Sequence, residues 1–181
     1  MSTKVTDPEK LKRLELKHDQ ARRSFRFTRF LPLRYILAIF CFSNLYWATN
    51  GLGSGFFWLI PGALFLAGSL VVLEQIKLLD LKTLNVTTEL KWTKLFFTVQ
   101  LFANFAFVAI ILSGVGYEQL FPFLTSYLNT RLVLAGIVGI GTLLAAFCLR
   151  RISLIHQNKD KHYKNIIAME EAVAKSKRNK K

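Results

Sequence analysis

The stretch LFFTVQLFANFAFVAIIL, residues 95–112, carries no charged side chain. As a helix rising ~1.5 Å per residue it would be about 27 Å long, close to the ~30 Å hydrocarbon core of a bilayer. A helix of a water-soluble domain keeps a polar face, and this stretch offers only Thr98, Gln100 and Asn104 toward one. Nor does it alternate polar and apolar residues as a spanning strand would. It reads as a transmembrane helix.

Three more apolar windows lie at Leu31–Ala48, Phe56–Leu73 and Leu132–Leu149. Four such windows in a 181-residue chain that is 52% hydrophobic argue against a soluble domain. The expected fold is an all-α membrane protein, a four-transmembrane-helix antiparallel bundle with N-terminal and C-terminal cytoplasmic helical arms. Residues 31–149 would form the bundle, with spans at about 32–48, 56–73, 95–112 and 132–149. Residues 1–30 form a basic arm, and residues 150–181 a basic tail that continues the fourth helix and loses order after Lys175. Pro32 and Arg34 interrupt the first window. Proline suits the first turn of a helix, so the span is expected to start near Pro32, with Arg34 snorkelling to the headgroups. Acids within the long N-terminal region, and the lack of a small-residue cleavage site after Trp47, favour a retained span over a signal peptide.

Charge sets the orientation. Of 25 lysines and arginines, 24 fall in residues 1–34, in the connection between the second and third windows, or after Leu149; Arg131 is the exception. The positive-inside rule then puts both termini and the middle connection in the cytoplasm, with two short hairpins outside. Aromatic residues around Trp47, Phe56–Trp58 and Tyr117–Tyr127 mark the outer boundary. A plasma membrane is the expected location, and compact hairpins with lysine-rich tails suit a bacterial inner membrane. On this orientation the Asn85-Val86-Thr87 sequon lies on the wrong side for glycosylation.

Thr6 with Glu9 has capping-box spacing at the start of the N-terminal arm. Arg22, Arg23, Arg26, Arg29 and Arg34, interleaved with phenylalanine and without an acid, form a juxtamembrane collar expected to meet anionic lipid headgroups. Each basic residue at an anionic leaflet contributes about 1 kcal/mol, so several together could hold lipid. Topology anchoring alone is the blander reading of the same charges.

Deep in the spans the polar residues are neutral. Gln100 and Asn104 are four apart and share a helix face. Counted from their boundaries, Asn44, Asn104 and Thr142 come to similar depth, and with Gln100 they are expected to form an intramembrane polar node. Helix-helix adhesion is its simplest role. Glu74 is expected at a boundary, ion-paired with Lys77. Cys41 and Cys148 fall in apolar windows and read as small hydrophobes.

The absence of ionisable residues at depth disfavours ion-coupled pumps. His18, His156 and His162 lack metal-ligand spacing, and no nucleophile-base pair or phosphate-binding loop is visible. No catalytic residue, metal or cofactor is expected, and flanking a membrane already accounts for the +14 charge without nucleic acid. The leading reading is a non-catalytic accessory or scaffold subunit whose arms contact anionic lipid or a protein partner, with self-association as a further route. The alternative is a small channel or carrier lined by the polar node.

Overall fold

The computed structural model describes residues 8–52, 55–80, 90–160, 163–165, 167, 168 and 171. The capping box at Thr6, the sequon at Asn85, His162, the tail from residue 172, and the side chains of His18, Arg22, Arg23 and Arg26 lie outside what is described. The chain forms α1 (Pro8–Asn50), α2 (Leu59–Asp80), α3 (Lys91–Ser113), a single turn α4 (Tyr117–Leu120) and α5 (Leu128–His156). Among the described residues there is no strand. Four stretches are long and apolar enough to cross a membrane: Phe27–Asn50, Leu59–Leu78, Lys91–Ser113 and Leu128–His156.

The surface supports that reading. Phe42, Leu66, Leu70, Phe102 and Leu143 are all exposed, while Asn44, Gln75, Thr93, Gln100 and Asn104 are buried. In water such an apolar exterior would be an aggregation surface. In hydrocarbon it is the favourable arrangement, with polar groups turned inward to find partners.

Arm and first span are one helix. Helix α1 runs 43 residues, with Pro32, the expected start of the span, in its interior. Proline lacks an N–H and its ring crowds the preceding turn, so carbonyls there need other donors. The carbonyl that loses its helical donor is that of Thr28, and next to it Arg151 of α5 donates to the Arg29 carbonyl at 3.3 Å. Donors from neighbouring helices are one way membrane helices tolerate proline.

Helix α1 packs most extensively on α2, and α3 on α5; the α2–α3 and α1–α5 contacts are lighter. Two apolar cores result. At the end carrying Arg29, Arg34 and Arg151, here the basic end, Phe30, Leu33, Leu37, Phe97, Cys148 and Ile152 are buried together. At the hairpin end, Leu64, Phe107, Ile111, Tyr117 and Phe121 form the second. Trp47 joins it, stacked on Phe121 with ring centroids 4.9 Å apart and edge-on to Phe107 at 4.7 Å.

Neighbouring helices close both ends of α3. Glu74 was expected to pair with Lys77, but its carboxylate accepts from the backbone N–H of Thr93 at 2.8 Å, the Thr93 hydroxyl at 2.6 Å and the Trp92 N–H at 3.3 Å. The first turn of a helix has unpaired N–H groups and a positive dipole end, and both favour a carboxylate over a lone exposed ion pair. At the other terminus Gly114 is left-handed, φ 79°, and its N–H reaches the Ile110 carbonyl. Arg131 donates to the Ile111 carbonyl at 2.7 Å and to that of Leu112. The one basic residue on the hairpin side is thus a helix cap.

The fourth helix continues into the tail only as far as His156. Asn158 is left-handed, φ 52°, and the Lys159 and Asn158 N–H groups donate to the Leu154 and Ile155 carbonyls. This is a Schellman motif, which ends a helix. The chain then turns, and Asp160 accepts from the Tyr163 N–H at 3.2 Å, capping a further helical turn. A residue able to adopt positive φ, followed two positions later by a capping acid, outweighs apolar continuity here.

Candidate functional site

Asn44 lies on α1 between Phe40 of the basic-end core and Trp47 at the hairpin end; Gln100 and Asn104 lie on α3 between Phe97 and Phe107. The three amides therefore face one another where the two apolar cores meet. The Asn44 Nδ2 donates to Gln100 Oε1 at 3.0 Å, and Gln100 Nε2 donates to Asn104 Oδ1 at 2.9 Å. All three side chains are buried, Asn104 at 5% exposure. Thr142 does not join them: its hydroxyl donates to the Val138 carbonyl of its own helix at 3.0 Å. A threonine in a helix can always satisfy itself four residues back, so depth alone does not commit it to a partner.

The amide row is the floor of a cavity of about 800 Å³. Its walls are α1 from Ile39 to Asn50 and α5 from Leu134 to Leu144, and Phe121, Phe123 and Leu124 cover the hairpin end. Phe42 and Ile140 line it yet are 72% and 61% exposed, so the cavity opens sideways between α1 and α5, where a membrane would place hydrocarbon. Trp47 holds the cover in place, its indole N–H donating to the Leu120 carbonyl at 2.9 Å. At the floor, Gly141 lets α5 come close: an added Cβ would lie 3.2 Å from Asn104 Nδ2 and 3.6 Å from Phe40. No Asp, Glu, Lys, Arg or His lines the cavity among the described residues.

Beyond the floor, toward the basic end, the interior is filled by Leu37, Phe40, Phe97, Cys148 and Ile152. The cavity is a lateral groove with a closed end.

No protein-family model, curated protein or solved structure matches this chain.

Of the five collar arginines, two have described side chains, and both turn toward protein. Arg29 is 1% exposed and forms an ion pair with Asp160 at 2.6 Å, with further bonds to the Ile155 carbonyl and Asn158 Oδ1, each 3.2 Å. Tyr163 lies 5.4 Å from its guanidinium carbon. Burial at this depth requires a counter-charge, and Asp160 supplies it, so Arg29 is not available to a headgroup. Arg34 is half-buried, donates to the Gln75 carbonyl at 3.1 Å and stacks over Phe27 at 5.3 Å.

The residues missed at sequence level are Asp160, Gly141 and Trp47. Gly141 is one of the glycines and alanines at 135, 136, 139, 141, 145 and 146, with nothing in the sequence to single it out, and Trp47 is one aromatic among many at a boundary. Nothing near Asp160 signals a partner 131 positions earlier. Among the described residues no group of three His, Cys, Asp or Glu side chains is placed to hold a metal.

Proposed function

We propose that this chain is a non-catalytic accessory or scaffold subunit of a plasma membrane, an antiparallel four-helix bundle with both arms in the cytoplasm. The observation that carries the reading is the Arg29–Asp160 ion pair. It ties the start of the C-terminal arm to the N-terminal helix at the basic end, so both arms leave from one place in a set relation. Asp160 also caps the next helical turn through the Tyr163 N–H, which fixes the direction in which that arm departs. Two basic segments presented together form a platform for anionic headgroups or an acidic surface of a partner membrane protein. The distribution of lysine and arginine supports a cytoplasmic side for this platform.

A small channel or carrier is the second reading, favoured by the cavity at Asn44, Gln100 and Asn104. The packed residues between that cavity and the basic end count against it, since a path would have to pass Phe40, Phe97 and Cys148.

The test is purification of the tagged full chain in a mild detergent, with identification of what accompanies it. A stoichiometric second membrane protein is the expected result. Recovery of the chain alone, together with solute flux after reconstitution in liposomes, would replace the first reading by the second. Terminal tags that are cleaved only in right-side-out vesicles would overturn the orientation.

A further inference from the structure

The three-amide row is incomplete. A row of three amides joined by two hydrogen bonds leaves one carbonyl and one NH2 over, whichever way each is turned. In the arrangement seen, the spare donor is Asn104 Nδ2, which reaches no protein acceptor among the described residues. Asn104 is 95% buried by protein, and its amide faces the groove. An amide left without a partner in hydrocarbon costs several kcal/mol by transfer to an alkane-like medium, roughly 4–8.

We infer that the groove between α1 and α5 binds an uncharged membrane lipid, its hydrocarbon chain along the apolar walls and one hydroxyl or carbonyl group on Asn104. Three observations select this class. With no ionisable group in the lining among the described residues, nothing offsets the cost of a phosphate or carboxylate head at this depth. A spare NH2 at one end of the row and a spare carbonyl at the other suit a hydroxyl, which donates and accepts, or a carbonyl, which accepts. Size and shape suit a single chain, since the walls span about 16 Å along α1 at ~1.5 Å per residue. The cavity offers about 800 Å³, within the ordinary range for a small ligand.

This assignment depends neither on the accessory reading nor on which side the arms face. It makes Trp47, Phe121 and Phe123 the cover over the end of the chain, and Gly141 the residue that keeps α5 close enough for the head to be held.

The experiment is photolabelling of the full chain in phosphatidylcholine nanodiscs with a diazirine-bearing octadecanol, followed by peptide mapping. Labelling should concentrate on groove residues of α1 and α5 over the lipid-exposed Leu66 and Leu70 of α2. Unlabelled octadecanol should compete, whereas octadecane and octadecanoate should not. Asn104→Leu should weaken competition about tenfold, the loss of roughly one hydrogen bond. Because that change could also disturb packing, Ile140→Trp at the exposed mouth gives a second route: it should remove groove labelling and leave α2 labelling as it was. Labelling spread evenly over lipid-facing residues would overturn the assignment, as would equal competition by octadecane. Cross-linking of a second copy through the groove in place of the alcohol would overturn it as well.

Discussion

The Asp160 carboxylate lies 2.6 Å from the Arg29 guanidinium, joining residues 131 positions apart. Both groups are almost fully buried, and the same Asp160 caps the turn that begins at Tyr163. Removing one partner of such a pair costs more than removing both, because a lone charge is left in a poorly solvated place. Asp160→Asn is therefore expected to destabilise the protein by about 3–5 kcal/mol. The double variant Arg29→Met/Asp160→Asn should recover a good part of that loss. Equilibrium unfolding in mixed micelles, run as a double-mutant cycle, measures the coupling, and additive single effects would show the pair to be energetically idle.

Glu74 stands at the amino terminus of α3 and should behave as a cap. Glu74→Gln keeps an acceptor but loses the charge opposite the helix dipole, a cost of about 1 kcal/mol. Glu74→Ala leaves the Trp92 and Thr93 N–H groups without this acceptor and should cost about 1–3 kcal/mol. Amide hydrogen exchange at Thr93 should rise in the order wild type, Gln, Ala. If Lys77→Met alone reproduced the effect of Glu74→Ala, the carboxylate would be acting through Lys77.

Much of the fold was legible from hydropathy, because four long apolar windows, three of them free of charge, have few alternatives in so short a chain. The amides at 44, 100 and 104 were legible from helical spacing and depth. The remainder depends on partners that are distant in sequence. Arg29 looked like its four collar neighbours, since what separates it is an acid on the far side of α5. Glu74 had Lys77 within one helical turn, and the competing donors at Trp92 and Thr93 lie across the connection to α3. Thr142 matched its neighbours in depth but satisfies its hydroxyl locally. The break after His156 hinges on Asn158 adopting a backbone conformation open to few residues besides glycine and asparagine.

Gly114 and Arg131 form one device at the carboxyl end of α3. A Cβ on Gly114 would meet the Arg131 guanidinium at 2.8 Å, and the left-handed backbone disfavours any side chain there. Gly114→Ala is expected to cost about 1–2 kcal/mol from backbone conformation alone, and more from displacing Arg131. Arg131→Lys should be partly defective, because a single ammonium cannot reproduce the forked contact with two carbonyls. Thermal unfolding in detergent should rank the variants with Gly114→Ala at or below Arg131→Lys.

Tyr117 gives this hairpin a pH response. It is 1% exposed, donates to the Thr125 carbonyl at 3.3 Å, and lies 5.8 Å from the Arg131 guanidinium carbon. Burial pushes its phenol above the ordinary value of 10.0, and the nearby Arg131 charge opposes that shift only in part. A group whose folded pKa is raised contributes stability that is fully present below its unfolded pKa. Below about pH 10 the phenol is neutral in both states, and the contribution holds. Above that, the unfolded chain ionises first, so stability should fall as pH rises through the folded value. Tyr117→Phe should flatten this alkaline loss. It should also remove the latest component of the phenolate absorbance titration, leaving the other four tyrosines. A titration unchanged by the substitution would place Tyr117 in water.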